Sequence, residues 1–276
     1  MRLLKWFSFA CMMVFLTILT QIGGVVLLLC YPIFRHLRDH YHLKNIHHFL
    51  INVLIFSALY APVSTWIVPP IAKRFGRVRL TAIDKTILKP HAVWYSVLNR
   101  DYVVPKLAET AQRVAMRLNA DSSKTIVYFL DAGFPFRGMP LIPHLSHGDG
   151  HQVDITFFYL DKNQQVTNDK PSTSGYGHYE QPRVGEPQTD EYCRKKFKNR
   201  FYDFAQNMTF GSRKDMTFDA DRTKKIIQIF AQDPNVRRIF LEPHLTKRLN
   251  FKGFDNIRPA GCHAVRHDDH FHVQIY

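Results

Sequence analysis

The segment HDDHFHVQI, residues 267–275, alternates between polar and apolar side chains from His270 onward. Phe271 and Val273 fall on one face of an extended strand. His270 and His272 fall on the opposite face. The segment therefore predicts a strand that packs one face on a core and presents two imidazoles from the other. This pattern favours a metal site over a histidine pair buried in a core, because imidazoles beside aspartates are costly to satisfy by packing alone.

A second polar cluster lies upstream, in SHGDGHQVD at residues 146–154. The alternation of QVDITFFYL, residues 152–160, predicts another strand, with Asp154 off the core face. His147 precedes Asp154 by seven residues. Zinc hydrolytic sites commonly use three ligands of the His and Asp or Glu type and leave a fourth position open. His147, Asp154 and His272 would supply such a set.

The rest of the chain after residue 80 has the composition of a soluble α+β domain. The periodicity predicts helices over 105–118, 191–207 and 221–232, and strands over 125–130 and 236–241. Residues 161–190 are polar and rich in Pro, Gly, Ser and Thr, which predicts a lid or a flexible insertion. We expect the domain to cover residues 101–276, with a central antiparallel sheet, after a juxtamembrane linker at 73–100.

The amino-terminal part contains two long runs without charged residues, at 6–31 and 49–72. Each is long enough for the roughly 20 residues that a helix needs to cross a bilayer. The first run is too long for the apolar region of a cleavable signal peptide. We therefore predict a two-helix transmembrane hairpin over residues 1–72, with the lipid bilayer as partner. The alternative is a pair of buried helices in a soluble domain.

The chain is strongly basic, with 37 Lys and Arg against 23 Asp and Glu and a formal net charge of +14. Such a charge predicts polyanionic surroundings: nucleic acid, anionic lipid or an acidic wall polymer. A two-helix hairpin would place both chain ends on one side of the membrane. That side would carry Arg2, Lys5, Lys73, Arg74, Arg77, Arg79 and Lys85, against Arg35, Arg38 and Lys44 in the loop. Taken literally, this distribution favours a cytoplasmic domain.

The two clusters together resemble a known family of enzymes. The spacing of His147 and Asp154, followed by RHDDHFHV at residues 266–273, is similar to that of the penicillin-insensitive murein endopeptidases. These belong to a superfamily with lysostaphin-type enzymes, D-Ala-D-Ala metallopeptidases and the Hedgehog signalling domain. Arg258-Pro259 and the segment IFLEPHLTKRL, residues 239–249, also resemble the family's carboxyl-terminal half. The resemblance covers residues 125–276.

This resemblance implies a zinc ion on His147, Asp154 and His272. It implies that His270 and His267 line the site without binding the metal, with His270 as candidate general base or oxyanion stabiliser. The implied activity is hydrolysis of peptide cross-links in peptidoglycan, at bonds of the D-Ala and diaminopimelate type. The implied location is a bacterial inner membrane with a periplasmic catalytic domain, against the charge count.

The sequence also departs from that family. Soluble members carry a cleaved signal and several disulfides, whereas this chain has an apolar anchor and four cysteines. Cys193 and Cys262 could form a disulfide in an oxidising compartment or remain two buried thiols. A related branch uses a glutamate three residues before the last histidine ligand, where this chain has Asp269. Strand alternation would point Asp269 away from His270 and His272.

Two other functional classes fit parts of the sequence. The domain could keep zinc without hydrolysis and act as a binding module, as the Hedgehog branch suggests. The His267-Asp268 pair and the basic charge could instead belong to a metal phosphohydrolase or a nucleic-acid enzyme. The strand pattern argues against the common helical His-Asp phosphohydrolase scaffold. Because no aromatic-basic recognition motif is present, we expect no nucleic-acid partner.

Overall fold

The structure is a computed structural model of the chain. It describes residues 2–41, 44–82, 84–121, 124–141, 145–197, 202, 206, 208–213 and 215–276. The fold is a mixed α+β architecture in which an amino-terminal group of apolar helices precedes a domain built on one central sheet.

The apolar helices are α1 (Arg2–Thr20), α2 (Gly23–His40), α3 (Asn45–Pro62) and α4 (Val68–Arg74), with a π-helical turn at Val63–Ile67 between the last two. The expected single helix over 6–31 is wrong, because the chain reverses at Gln21, whose φ of 66° is left-handed. Such a conformation ends a right-handed helix. The predicted two-helix hairpin is therefore not confirmed.

One helix in the described part of the chain is long and apolar enough to cross a membrane. It runs continuously over Asn45–Arg74, 30 residues, and comprises α3, the π turn and α4. Only 17% of its most apolar window is buried inside the protein. A core helix of a soluble domain would be mostly buried. The exposure of this helix therefore distinguishes it from such a core helix.

The domain contains further helices and short strands. The helices are α5 (Val93–Val97), α6 (Pro105–Asp121), α7 (Thr189–Phe197), α8 (Ala220–Gln232) and α9 (Pro243–Arg248). The strands are β1 (Val78–Arg79), β2 (Leu88–Pro90), β3 (Tyr102–Val103), β4 (Val127–Phe129), β5 (Gln152–Thr156), β6 (Tyr159–Leu160), β7 (Thr217–Phe218), β8 (Val236–Phe240), β9 (Ile257–Arg258) and β10 (His270–Ile275). The helix predicted over 191–207 corresponds to α7, and most of 198–207 lies outside the described residues.

The central sheet has the strand order β2-β4-β5-β10-β8-β9. The four inner strands pair antiparallel, as predicted, but β2 is parallel to β4 and β9 is parallel to β8. The sheet is therefore mixed rather than antiparallel. Strand β2 lies within the stretch 73–100 that we expected to be a linker, so that stretch contributes to the folded domain.

The core lies on the face of the sheet that α6 and α8 cover. Phe271 of β10 packs against Phe230 of α8, with ring centroids 5.9 Å apart. Phe271, Val273 and Ile275 are all 2% exposed or less, so the predicted apolar face of the last strand is confirmed. The polar side chains of β10 consequently project from the opposite face of the sheet.

Candidate metal centre

The two polar clusters meet because their strands are neighbours. Strand β10 pairs antiparallel with β5, and the register places His272 directly opposite Asp154. Side chains at directly opposite positions lie on the same face of a sheet. His147 belongs to a 3₁₀ turn at Leu145–Asp149, just before β5. The fold thus brings together three residues that lie up to 125 positions apart.

The three side chains converge on one point. His147 Nε2 lies 3.2 Å from His272 Nδ1, and Asp154 Oδ1 lies 2.8 Å from His272 Nδ1 and 3.4 Å from His147 Nε2. A tetrahedral ion with bonds of about 2.0–2.1 Å holds its ligand atoms about 3.3 Å apart. All three residues are 3% exposed or less. The group could therefore hold a metal ion, as the sequence predicts.

Hydrogen bonds orient two of the three ligands. His147 Nδ1 donates to the carbonyl oxygen of Ala132 at 2.9 Å, which leaves Nε2 with its lone pair toward the site. Tyr176 donates its hydroxyl to Asp154 Oδ2 at 2.9 Å, which leaves Oδ1 for the site. Metal ligands are commonly fixed by such outer bonds.

Electrostatics also favour metal ligation. Burial lowers the pKa of His272 to about 4, so its imidazole is neutral at pH 7, as a ligand must be. Burial also opposes a charge on His147, but the neighbouring Asp154 outweighs burial and raises that pKa. The Asp154 carboxylate thus attracts positive charge to the centre. A metal ion that bound there would compete with the proton on His147.

Both candidate catalytic histidines lie beside the group. His270 Nε2 is 3.8 Å from Asp154 Oδ2, and the ring of His267 is 4.9 Å from that of His270. Burial opposes a charge on His270, but Asp269 and Asp154 outweigh it and raise its pKa to about 9. A protonated imidazole at this place can donate to an oxygen that develops negative charge.

The expectation that Asp269 points away from His270 is wrong. The Asp269 carboxylate accepts a hydrogen bond from His270 Nδ1 and another from the backbone N–H of Gly177. Strand β10 begins at His270, so the alternation that we applied does not extend to the residue before it. Asp269 thereby orients His270.

Sequence reasoning missed Tyr176 and the salt bridge beneath it. Tyr176 lies in the irregular stretch 161–190, where no periodicity places a side chain on a face. Its hydroxyl also lies 3.4 Å from Asp131 Oδ2, and Asp131 is held by Arg100 at 2.6 Å. No local signal could have found these contacts, because they join segments far apart in the chain.

A last group of contacts braces the loop before β10. Arg266 pairs with Asp268, and the backbone N–H of Glu180 donates to the Asp268 carbonyl oxygen at 2.7 Å. Cys193 and Cys262 form a disulfide that ties α7 to this region, rather than remaining two buried thiols.

The chain matches no known family model, and no curated protein is similar to it in sequence.

Proposed function

We propose that the chain is a membrane-anchored, zinc-dependent peptidase that hydrolyses peptide cross-links of peptidoglycan. The observation that carries the proposal is the convergence of His147 Nε2, Asp154 Oδ1 and His272 Nδ1 at the spacing of a tetrahedral ion. Three protein ligands leave a fourth position, as in catalytic zinc sites. A bound zinc ion would polarise the scissile carbonyl group as a Lewis acid.

The proposed roles of the chain's own groups follow from their positions. His270, held by Asp269, would stabilise the developing oxyanion or accept and return a proton. His267 lies behind it and would share that task. The net charge of +14 supports a polyanionic wall as partner, and the choice of D-Ala and diaminopimelate bonds rests on the family resemblance alone.

The long apolar helix supports anchorage in a membrane, and the proposed substrate implies the bacterial inner membrane with the domain in the periplasm. The helix Asn45–Arg74 is about 45 Å long at 1.5 Å per residue, which exceeds the roughly 30 Å of the hydrocarbon layer. A substrate in the wall requires the domain to lie outside that membrane. Muropeptide analysis tests the zinc and the substrate, and cysteine labelling in spheroplasts tests the location.

One observation favours a second candidate, a zinc-containing binding module without catalysis. The three ligands, His267 and His270 are each 5% exposed or less. Tyr176 and the backbone of Gly177 close over them through their bonds to Asp154 and Asp269. A peptide substrate can reach the centre only if this wall moves, whereas a structural zinc needs no access.

The deciding experiment is mass spectrometry of muropeptides after purified wall sacculi are incubated with the full-length protein in detergent. We expect cross-linked dimers to disappear with zinc, and to persist with chelator or with His272→Ala. His151→Ala is the matched control, because His151 lies at the end of the same loop, is partly exposed and is outside the ligand group. Its profile should equal that of the wild type.

A second pair of variants separates metal binding from catalysis. His270→Ala should keep its zinc and lose roughly 10²–10⁴-fold in hydrolysis, the usual contribution of one acid-base group. An unchanged muropeptide profile from folded, zinc-loaded wild type would overturn the peptidase proposal and support the binding module. An unchanged profile from folded wild type that binds no zinc would overturn both the peptidase proposal and the zinc-containing binding module.

A further inference from the structure

The first apolar run is a tightly packed helical hairpin rather than one helix. Gly24 of α2 lies so close to α1 that an added Cβ would sit 2.1 Å from Thr17 Oγ1 and 2.7 Å from the Met13 carbonyl oxygen. A Cβ on Gly23 would lie 2.7 Å from Thr20 Oγ1. Small residues that let two backbones approach are typical of packed helices in membranes.

The turn of this hairpin is fixed to the domain. Gln21 Nε2 donates to the Phe136 carbonyl oxygen at 2.7 Å, and the Phe136 N–H donates back to Gln21 Oε1 at 2.8 Å. The amide of Asn99 donates to the Thr20 carbonyl oxygen at 3.4 Å. Because α1 ends at this turn, its amino-terminal end lies at the far end of the helices. The carboxyl end of α2 and the start of α3 also lie there.

The helices approach the thickness of a bilayer with their charged ends included. The 19 residues of α1 and the 18 of α2 span about 29 and 27 Å, against the roughly 30 Å of the hydrocarbon layer. Their charge-free parts, residues 6–20 and 23–34, span only about 22 and 18 Å, so a crossing requires the basic side chains at their ends to reach the head groups. In the described chain, both helices have large apolar side chains that are at least one-third exposed: Leu3, Trp6, Phe7, Met12, Val14, Phe15, Ile18, Val25, Leu28, Leu29 and Ile33. Lipid is the partner that such a belt fits.

The charges of the hairpin lie at its far end. Arg35, Arg38 and Asp39 are confined to the last two turns of α2. The rings of Trp6 and Tyr31 pack together nearby, 5.3 Å apart, as aromatic side chains do at a membrane surface. Long basic side chains there can reach the head groups while the helix remains in the bilayer.

We infer that α1, α2 and the long helix Asn45–Arg74 cross the bilayer together, with the amino-terminal end of α1 on the side opposite the domain. This inference rests on the membrane anchorage proposed above. It differs from the two-helix hairpin, which puts the start of the chain and the domain on the same side.

Three crossings also change the charge count. Arg2 and Lys5 now belong to the far end, together with Arg35, Arg38 and Lys44. The domain side keeps Lys73, Arg74, Arg77, Arg79 and Lys85, so each side carries five basic residues. The positive-inside rule then no longer favours a cytoplasmic domain. The Cys193–Cys262 disulfide favours a domain on the outer side, because disulfides persist in oxidising compartments.

Cysteine labelling of the full-length protein in spheroplasts tests the arrangement. The background is Cys11→Ser with Cys30→Ser, which removes the free cysteines of the described chain. Single cysteines then replace Leu3, Tyr41 or Lys162, all exposed, and a membrane-impermeant maleimide is added. We expect labelling of Lys162→Cys in intact spheroplasts, and of Leu3→Cys and Tyr41→Cys only after permeabilisation.

Two lipid-facing positions complete the test. Phe15→Cys in α1 and Leu29→Cys in α2 should stay unlabelled in both conditions and react only after denaturation in detergent. Labelling of either position in folded protein would overturn insertion of the hairpin.

Labelling of Leu3→Cys together with Lys162→Cys would overturn the three crossings in favour of two. Labelling of Leu3→Cys and Tyr41→Cys in intact spheroplasts, with Lys162→Cys labelled only after permeabilisation, would overturn the orientation. It would also remove the wall as substrate. Zinc binding by the purified protein is measured independently, so a failure of this arrangement is distinguishable from a failure of the metal centre.

Discussion

At the scale of single residues, the hydroxyl of Tyr176 determines which oxygen Asp154 offers to the site. Tyr176→Phe removes the 2.9 Å bond to Asp154 Oδ2 and keeps the ring. We expect zinc affinity to fall roughly 10–100-fold with the fold retained, as is typical when an outer partner of a ligand is lost. Competition with a chromophoric chelator measures the affinity.

Tyr95→Phe is the matched control for this substitution. Its hydroxyl is also buried, but it donates to the Ser174 carbonyl oxygen at 2.7 Å and not to a ligand. Equal affinities of the Tyr95 and Tyr176 variants would contradict a specific role for Tyr176.

The metal ligands could be predicted from the sequence, but the residues that hold them in place could not. Spacing and alternation identified Asp154 and His272 because both lie within strands, where period two assigns a face. Tyr176 and Asp131 act across the fold, and their contribution depends on the placement of irregular segments. Local patterns carry no information about such placement.

At the scale of elements, the ion pair between Glu186 and Arg248 helps to hold the irregular stretch 161–190 to α9. Arg248 Nη2 lies 2.7 Å from Glu186 Oε2, and Arg248 Nε lies 3.0 Å from Glu186 Oε1. These hydrogen bonds lower the pKa of Glu186 to about 2. A depressed carboxyl pKa stabilises the fold above the ordinary pKa of Glu, about 4.3, and this stabilisation is lost as the pH falls toward 2.

Glu186→Gln should therefore lower the midpoint of thermal unfolding at pH 7. The gap in midpoint between the variant and the wild type should narrow as the pH falls from 4.5 to 3. Thermal melts of the full-length protein across this range measure the gap. Glu191→Gln is the control, because the Glu191–Lys195 pair is exposed at both ends and contributes at most about 1 kcal/mol. A gap for Glu186→Gln that is independent of pH would refute the ion-pair explanation.

Composition alone could not reveal the reversal at Gln21. The run at 6–31 has the length and apolarity of one spanning helix, and a glycine pair inside such a run is common in membrane helices. Only the contacts of Gly24 with α1 show that these glycines pack two helices against each other.

Gly24→Leu should separate α1 from α2, because its side chain has no room beside Thr17. Overpacking of this kind typically costs about 1–3 kcal/mol. We expect a lower melting midpoint of the full-length protein in detergent and faster proteolysis within α1. Val25→Leu, at a position that is 62% exposed, should leave both unchanged. A Gly24 variant as stable as the Val25 variant would contradict the close packing.

At the scale of the whole molecule, one sheet joins the metal centre to the core. Strand β10 contributes Phe271 and Val273 to the packed face and His272 to the opposite face. Movement of His272 therefore disturbs core packing, and anything that fixes His272 stabilises the sheet. Metal binding and global stability are coupled through this strand.

Zinc should consequently raise the thermal stability of the full-length protein. At 100 times the dissociation constant, a ligand that binds only the folded state adds about 2.7 kcal/mol, which corresponds to a shift of about 5–10 °C for a domain of this size. Chelator should reverse the shift. His272→Ala should abolish it, whereas His151→Ala should retain it. A zinc-dependent shift of equal size in His272→Ala would place the metal elsewhere and remove the basis for the peptidase proposal.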